Sequence, residues 1–292
     1  MFLTPPGAPA GSDSVESLLA LLKGRRFTAL SGAGCSTDSG IPDYRGPQGT
    51  LRRRQPITLQ EFLHSEANRR RYWARSLVGW PTVATARPNA AHLALAALEG
   101  AGCMKGLITQ NVDGLHRAAG SQQLIELHGN LHFVRCLTCA ARLERAAFQD
   151  ELLAENPTLE AARADSAPDG DAELLPASYE DFIVPACRQC GGVLKPDVVF
   201  FGENVRRPVV EAAFRFIAEA EALLVLGSSL AVYSGFRFVR GAVERGLPVA
   251  IVHLGPTRGD ELAALRVAAP LGATLTTLAA ALTEPFGLPP AE

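Results

Sequence analysis

Apolar residues at Val15, Leu18, Leu19 and Leu22 recur at helical spacing and stop before Gly24, which predicts a short amphipathic helix. The period then changes. Residues 27–31 read as a short strand covered on both faces, running straight into a glycine-rich turn. Further strands are predicted at 106–109, 124–127, 198–201, 222–226 and 249–254. Helical patterns lie between them at 89–98, at 208–220 with proline at its start, and at 236–245 before Gly246. Strands alternating with helices predict an α/β fold with an open, Rossmann-like parallel sheet.

Two stretches break this rhythm. Residues 45–88 are rich in arginine, proline and aromatic side chains and read as a helical insertion. Residues 128–193 carry four paired cysteines and the least regular segment, 156–185. The expected division is a sheet domain made of 1–44, 89–127 and 194–292, with the two insertions packed together as a smaller domain over one sheet edge. No internal repeat or low-complexity tract is visible.

Composition narrows the classes. The chain has 292 residues, 47% of them hydrophobic and 20% charged, with a net charge of −2, so no whole-protein field favours nucleic acid or anionic lipid. No apolar run reaches the roughly 18 residues of a membrane span, and residues 1–14 have neither a basic nor an apolar targeting region. A cytoplasmic location and a monomeric state are expected. Lysine occurs only at 23, 105 and 195, and with the alanine richness this reads as a GC-rich coding bias more than a functional signal.

The cysteines carry the first chemistry. Cys136/Cys139 and Cys187/Cys190 form two CxxC pairs, four soft ligands for one closed tetrahedral zinc site. A redox CxxC is the alternative. The 47 residues between Cys139 and Cys187 exceed what a compact zinc ribbon needs, so the loop is an elaboration. Arg135, Arg142, Arg145 and Arg188 surround the site, but interleaved acids favour a solvated face over nucleic-acid binding.

After the first predicted strand comes Gly32-Ala33-Gly34-Cys35-Ser36-Thr37, where glycines would let backbone approach a pyrophosphate. The third glycine of the dehydrogenase fingerprint is missing, since Thr37 stands in its place. The loop from Gly40 to Gly46 sets Asp43, Tyr44 and Arg45 where they would fold over a nucleotide, with Tyr44 shielding a reactive ribose carbon from water. Gln110, Asn111, Val112 and Asp113 follow a strand end and offer amide and carboxylate groups for a carboxamide and ribose hydroxyls. His128 ends the next strand, and its imidazole suits proton abstraction near neutral pH. His116 and His132 compete on composition; strand context and the flanking glycine favour His128. Val198, Phe200, Phe201, Gly202 and Glu203 would present an edge to an extended peptide, with a plain buried strand as the alternative. Gly227, Ser228 and Ser229 close another strand with small donors.

Taken in order, GAGCS, GIPDYRG, TQNVDGLH, LHG, the two CxxC pairs, LKPDVVFFGE and GSSL resemble the sirtuin family over nearly the whole chain. Residues 71–75 and 78–81, with the loop holding 167–171, resemble class II, the branch of the human mitochondrial sirtuin four. The resemblance implies NAD as co-substrate, one structural Zn2+, and acyl-lysine proteins or peptides as partners, with neither nucleic acid nor membrane. It implies that the acyl oxygen attacks the nicotinamide-bearing ribose carbon, with Asn111 and Asp113 holding ribose and carboxamide. His128 would act as base, and deacylated lysine and O-acyl-ADP-ribose would form. Residues 198 and 200–203 would bind the substrate backbone.

The pattern departs from the family in one place. His253, before Leu254 and Gly255, stands where an asparagine usually faces the adenosine ribose, so altered NAD affinity is expected. Leu271 would make only a backbone or apolar contact near the adenine. Tyr72 and Arg75 form the Tyr-x-x-Arg that some sirtuins use for acidic acyl groups, against a plain helix-surface role. Mono-ADP-ribosyl transfer, an NAD-sensing binding protein and a dehydrogenase are the competing functions.

Overall fold

A computed structural model describes residues 13–43, 56–159, 170, 174 and 180–283. Six strands form a parallel sheet: β1 (Phe27–Ser31), β2 (Met104–Thr109), β3 (Leu124–Glu126), β7 (Ala222–Leu226), β8 (Val249–Val252) and β9 (Leu265–Val267), in the order β3-β2-β1-β7-β8-β9. The strand period of two sorts side chains between two cores. Phe27, Ala29, Leu224, Leu226, Ala250 and Val252 face one side, where α1 (Val15–Leu22), α4 (Ala90–Gly100) and α9 (Leu271–Thr283) cover them. Leu30, Leu223, Val225, Val249 and Ile251 face the other, under α7 (Arg207–Glu219) and α8 (Tyr233–Glu244). Each of the larger side chains among these, the alanines aside, contributes about 1.5–3 kcal/mol of burial. This is the open doubly covered sheet that the strand–helix alternation predicts.

The helix ends follow their local chemistry. Ser14 caps α1 by accepting from Ser17 N at 3.2 Å, and Asn89 caps α4 by accepting from Ala91 N at 2.9 Å. The sheet changes direction at β1, whose chain neighbour β2 lies on one side and the later β7 on the other. Crevices at such a reversal, beyond the strands' carboxyl ends, are where open α/β sheets bind ligands.

The third apolar cluster belongs to a smaller, antiparallel region. Here β4 (Gly129–Cys136) is flanked by β5 (Arg142–Glu144) and β6 (Leu194–Val198). Against it pack α2 (Leu59–His64), α3 (Glu66–Thr85) and α6 (Arg145–Glu155), through Phe62, Tyr72, Trp73, Trp80 and Phe148. The strand expected at 198–201 is displaced: pairing with β4 ends at Val198, and the chain then turns, with Gly202 at φ 75° and Glu203 N donating to Phe200 O at 3.0 Å. β4, α6, β9 and α9 were not expected from the pattern. No helix among the described residues is long and apolar enough to cross a membrane.

Candidate active site

The expected residues from four strand ends meet in one cavity of about 610 Å³. From β1 come Gly32, Ala33, Gly34 and Ser36; from β2, Gln110, Asn111, Val112 and Asp113; from the end of β3, His128; from β7, Gly227, Ser228 and Ser229. His253, after β8, and Asp43 also line it. The opposite wall is the turn with Val198, Phe200, Phe201, Gly202 and Glu203. Thr37 is exposed and bonds back to Gly34 O at 3.1 Å, outside the lining. Leu254, Gly255 and Leu271 also lie outside it: Leu254 is exposed, and Leu271 opens α9 and packs on the core. Tyr44 and Arg45 lie outside the described residues, as do Ala167, Pro168, Asp169 and Asp171.

The turns after β1 and β7 touch backbone to backbone. Gly34 N donates to Gly227 O at 2.9 Å. A Cβ at Gly32 would come within 2.7 Å of Ser228 Cβ, and one at Gly34 within 2.9 Å of Gly227 O. Only glycine fits this crossing, where the two backbones close on each other without side chains and leave room for a ligand to approach them. Behind it the polar groups are already ordered. Ser36 Oγ donates to Asp113 Oδ2 at 2.7 Å and accepts from Asn111 Nδ2 at 3.0 Å. Asp113 Oδ1 accepts from Leu115 N at 2.9 Å. Gln110 Nε2 donates to Ser228 Oγ at 2.7 Å, linking the β2 and β7 ends.

His128 is held from both sides. Its Nδ1 lies 2.9 Å from Gln110 O, which can only accept, so the proton sits on Nδ1. Nε2 therefore carries a lone pair and accepts from Ser234 Oγ at 2.7 Å. Burial pushes the imidazole below its ordinary 6.5; the Gln110 bond opposes this, and the charge of Arg237 adds to it. The ring is a neutral base at physiological pH. Val199 N donates to His128 O at 2.7 Å, which seats the 198–203 turn beside it. That turn is pinned in turn by Lys195, which is buried and 3.0 Å from Glu203 Oε2.

The competing histidines serve elsewhere. His132 Nε2 bonds to Asp113 O at 3.0 Å. His116 and His92 are buried with Cys35, and one donor atom from each of the three lies within 4.8 Å of the others. The hydrogen bonds argue against a metal there. Asn89 N donates to His92 Nδ1 at 3.3 Å, leaving the His92 proton on Nε2, where a metal would have to displace it. Ser31 Oγ donates to Thr109 Oγ1 and so accepts from His116 Nε2 at 2.8 Å. Burial, aided by Asp113 and Asp38, pushes the Cys35 thiol up to about 12, so it is no nucleophile.

The paired cysteines do form a metal-binding set. All four sulfurs lie within 4.8 Å of one another, with Cys136–Cys190 at 3.5 Å and Cys139–Cys187 at 3.7 Å. A tetrahedron of thiolates at about 2.3 Å from zinc has edges of about 3.8 Å, so the donors fit. Two matching turns build it: Ala140 N donates to Cys136 O at 3.1 Å, and Gly191 N to Cys187 O at 2.8 Å. With no fifth donor among the described residues, the set is that of one closed, structural zinc.

Of the Tyr-x-x-Arg pair only one member reaches the cavity, and further lining residues escaped sequence reasoning. Tyr72 is 6% exposed and lines the cavity, which rules out the helix-surface role, whereas Arg75 does not line it. Ser234 and Arg237 also line it. Their segment followed GSSL closely enough to have been suspected, but its helical period reads only as a covering helix.

The comparisons agree with this arrangement. A family model described as SIR2, the Sir2 family, matches residues 32–234. A protein named NAD-dependent protein deacetylase from Xanthomonas campestris pv. campestris (strain 8004) is 58% identical over 243 residues, 83% of each chain. NAD-dependent protein deacetylase 2 of Bradyrhizobium diazoefficiens is 53% identical over 260 residues, covering 89% of this chain and 94% of its own. A solved Sir2 with p53 peptide and NAD+ superposes with a TM-score of 0.71 at 30% identity, covering 91% of this chain and 97% of that one. The chain belongs to the Sir2 family, the sirtuins.

Proposed function

We propose that the chain is an NAD-dependent protein-lysine deacylase that releases nicotinamide and O-acyl-ADP-ribose. The names of its relatives support this reading, and one observation carries it. His128 Nε2, whose lone pair accepts from Ser234 Oγ until a ligand hydroxyl takes that place, lies in a cavity with the glycine crossing on one wall and a pinned, peptide-facing turn on the other. NAD, when bound, supplies the activated glycosidic bond that the acyl oxygen displaces.

The chain's own residues do the rest. Gly32, Gly34 and Gly227, with no side chains at their crossing, give the diphosphate room beside the backbone. Asn111 and Asp113, held by Ser36, orient the ribose and carboxamide. His128 takes the proton of a ribose hydroxyl at Nε2, while Gln110 O keeps its tautomer and ring plane fixed. Val198 and 200–203 hold the substrate backbone. His253, whose Nδ1 is engaged by Gly255 at 2.9 Å, keeps Nε2 for the adenosine ribose.

The division into two parts belongs to the same reading, with 1–44, 89–127 and 194–292 around the parallel sheet and 45–88 with 128–193 around the zinc. Strand β6 is the seam, since it pairs with β4. The class II assignment rests on the sequence of residues 71–75 and 78–81, whose Tyr72, Trp73 and Trp80 lie in the small core. Cytoplasmic location and a monomeric state stay as expectations from composition.

Mass spectrometry of an acyl-peptide reaction with NAD tests the function. Loss of the acyl mass with appearance of O-acyl-ADP-ribose is expected, and His128→Ala should slow it at least a hundredfold. A gain of ADP-ribose on the peptide would replace deacylation by mono-ADP-ribosyl transfer, and undiminished turnover in His128→Ala would remove the general base.

A further inference from the structure

We propose that Arg237 forms an anion-recognition subsite of the cleft and takes a carboxylate carried by the acylated substrate. This rests on the deacylase reading above. Arg237 lies one turn along α8 from Ser234 and lines the same cavity as His128. Among the described lining residues it is the only lysine or arginine. Its guanidinium sits 5.2 Å from the Tyr233 ring centroid, Nε is buried with no hydrogen-bond partner, and it is in no ion pair with a described acid.

Several other partly or fully buried cations are met by acids. Arg135 meets Asp197 at 3.0 Å, Arg266 meets Asp260 at 3.3 Å, and Lys195 meets Glu203 at 3.0 Å. Arg145 lacks an acid too, but it lies under Trp73 and Trp80, bonded to Ser76 and outside the cavity. The lining holds three acids, Asp43, Asp113 and Glu203, none of them in an ion pair with Arg237; Asp113 is engaged by Ser36 and Leu115 N, and Glu203 by Lys195. A half-buried guanidinium that faces a cavity without an ion-pair partner among the described residues is completed by an anion that arrives with the ligand.

Position favours the substrate over the dinucleotide diphosphate. The diphosphate cradle is made where Gly34 meets Gly227, whereas Arg237 acts electrostatically on His128, where the acyl group must come. A planar guanidinium fits a carboxylate two-pronged. That carboxylate can end the acyl chain or belong to an acidic residue flanking the lysine.

Five peptides on one neutral scaffold separate these sources. They carry acetyl-lysine, an acyl-lysine ending in a carboxylate, its neutral isostere, acetyl-lysine flanked by glutamate, and the same flanked by glutamine. Dissociation constants come from fluorescence titration and kcat/KM from mass spectrometry. The parent should favour the carboxylate member of one pair by about tenfold, about 1.4 kcal/mol, mainly through KM, and 1 M salt should erode the preference. Arg237→Gln should bring that ratio near one, and Arg237→Lys should keep part of it.

No preference in either pair, or one that survives Arg237→Gln, overturns the subsite. Tenfold weaker ADP-ribose binding by Arg237→Gln with an intact peptide ratio gives the guanidinium to the dinucleotide, and also overturns it. The salt dependence of the parent decides the matter if the glutamine variant does not fold. Carboxylate-dependent binding without acyl loss from any peptide would support the subsite and count against the deacylase reading instead.

Discussion

On the side of the parallel sheet, the cavity is faced by backbone and small groups: Gly32, Gly34, Gly227 and Ser228 meet at a crossing that excludes any larger side chain. On the side of the three-stranded sheet it is faced by Tyr72, Phe200 and Glu203, supported by aromatic packing and a sulfur cluster. One wall gets its shape from hydrogen-bonded strands and has little freedom to vary. The other is assembled from side chains, over an aromatic core and a metal-binding set of cysteines. A dinucleotide is constant and a substrate is not, and the materials follow that difference.

Breaking the zinc site should separate the two regions most strongly. Both tryptophans of the chain, Trp73 and Trp80, lie in the small cluster, so intrinsic fluorescence reports that region alone. Cys187→Ser, or prolonged chelation, should bring zinc from one per chain to none and shift tryptophan emission to the red. The melting temperature should fall by about 10 °C or more, at about 2–4 °C per kcal/mol for a chain of this size. Helical circular dichroism, dominated by the helices around the parallel sheet, should largely persist. Simultaneous loss of both signals would mean that the sheet depends on the zinc region as well.

Gly129→Ala strikes the seam between the regions. Gly129 stands at φ 83°, and a Cβ there would run into Asp197 O across the β4–β6 pair. Left-handed backbone and overpacking together cost about 3 kcal/mol. Because Val199 N bonds to His128 O next door, deacylation should fall about tenfold or more even where the variant stays folded. Full activity in a folded Gly129→Ala would show that the seam does not position the base.

The same contrast explains what was legible in the sequence. Strands β1 and β7 were predicted at their observed bounds because buried parallel strands are uninterrupted apolar runs. β4 was missed because Asn130, His132 and Arg135 interrupt its apolar residues, and only the pairing with β5 and β6 makes it a strand. The cavity residues at strand ends were readable from motif and position. Ser234 and Arg237 were not, because a helical period hides which residue of the first turns faces a cavity.

Acid should weaken the sheet side in a graded way. Burial lowers the pKa of His92 and, more strongly, of His116, where the neighbouring His92 adds to the effect. Both are neutral when folded and titrate near 6.5 when unfolded. The unfolded chain therefore binds more protons as pH falls below 6.5, and stability is lost until the folded-state values are reached. Two such groups give a slope of up to about 3 kcal/mol per pH unit. Urea melts between pH 7.5 and 5 would show it, and His116→Gln should flatten it. A flat profile in the parent would mean that acidic groups compensate.

The smallest effect expected is at Ser234, and it asks whether the α8 side of the cleft tunes the base or merely covers it. Its Oγ donates to His128 Nε2 and so favours the neutral ring, the form that accepts a proton. Activity should fall as pH drops through the His128 pKa, which burial holds below 6.5. Ser234→Ala removes a bond worth about 1 kcal/mol, so kcat should fall about threefold to tenfold with little change in KM. The acid limb of the profile should move to higher pH by less than one unit, because the neutral form has lost a donor. Ser234→Thr should restore both, since its hydroxyl can occupy the same place. A purely spatial role would lower kcat without moving the limb, so an unmoved limb in Ser234→Ala would leave Gln110 O alone in charge of the imidazole.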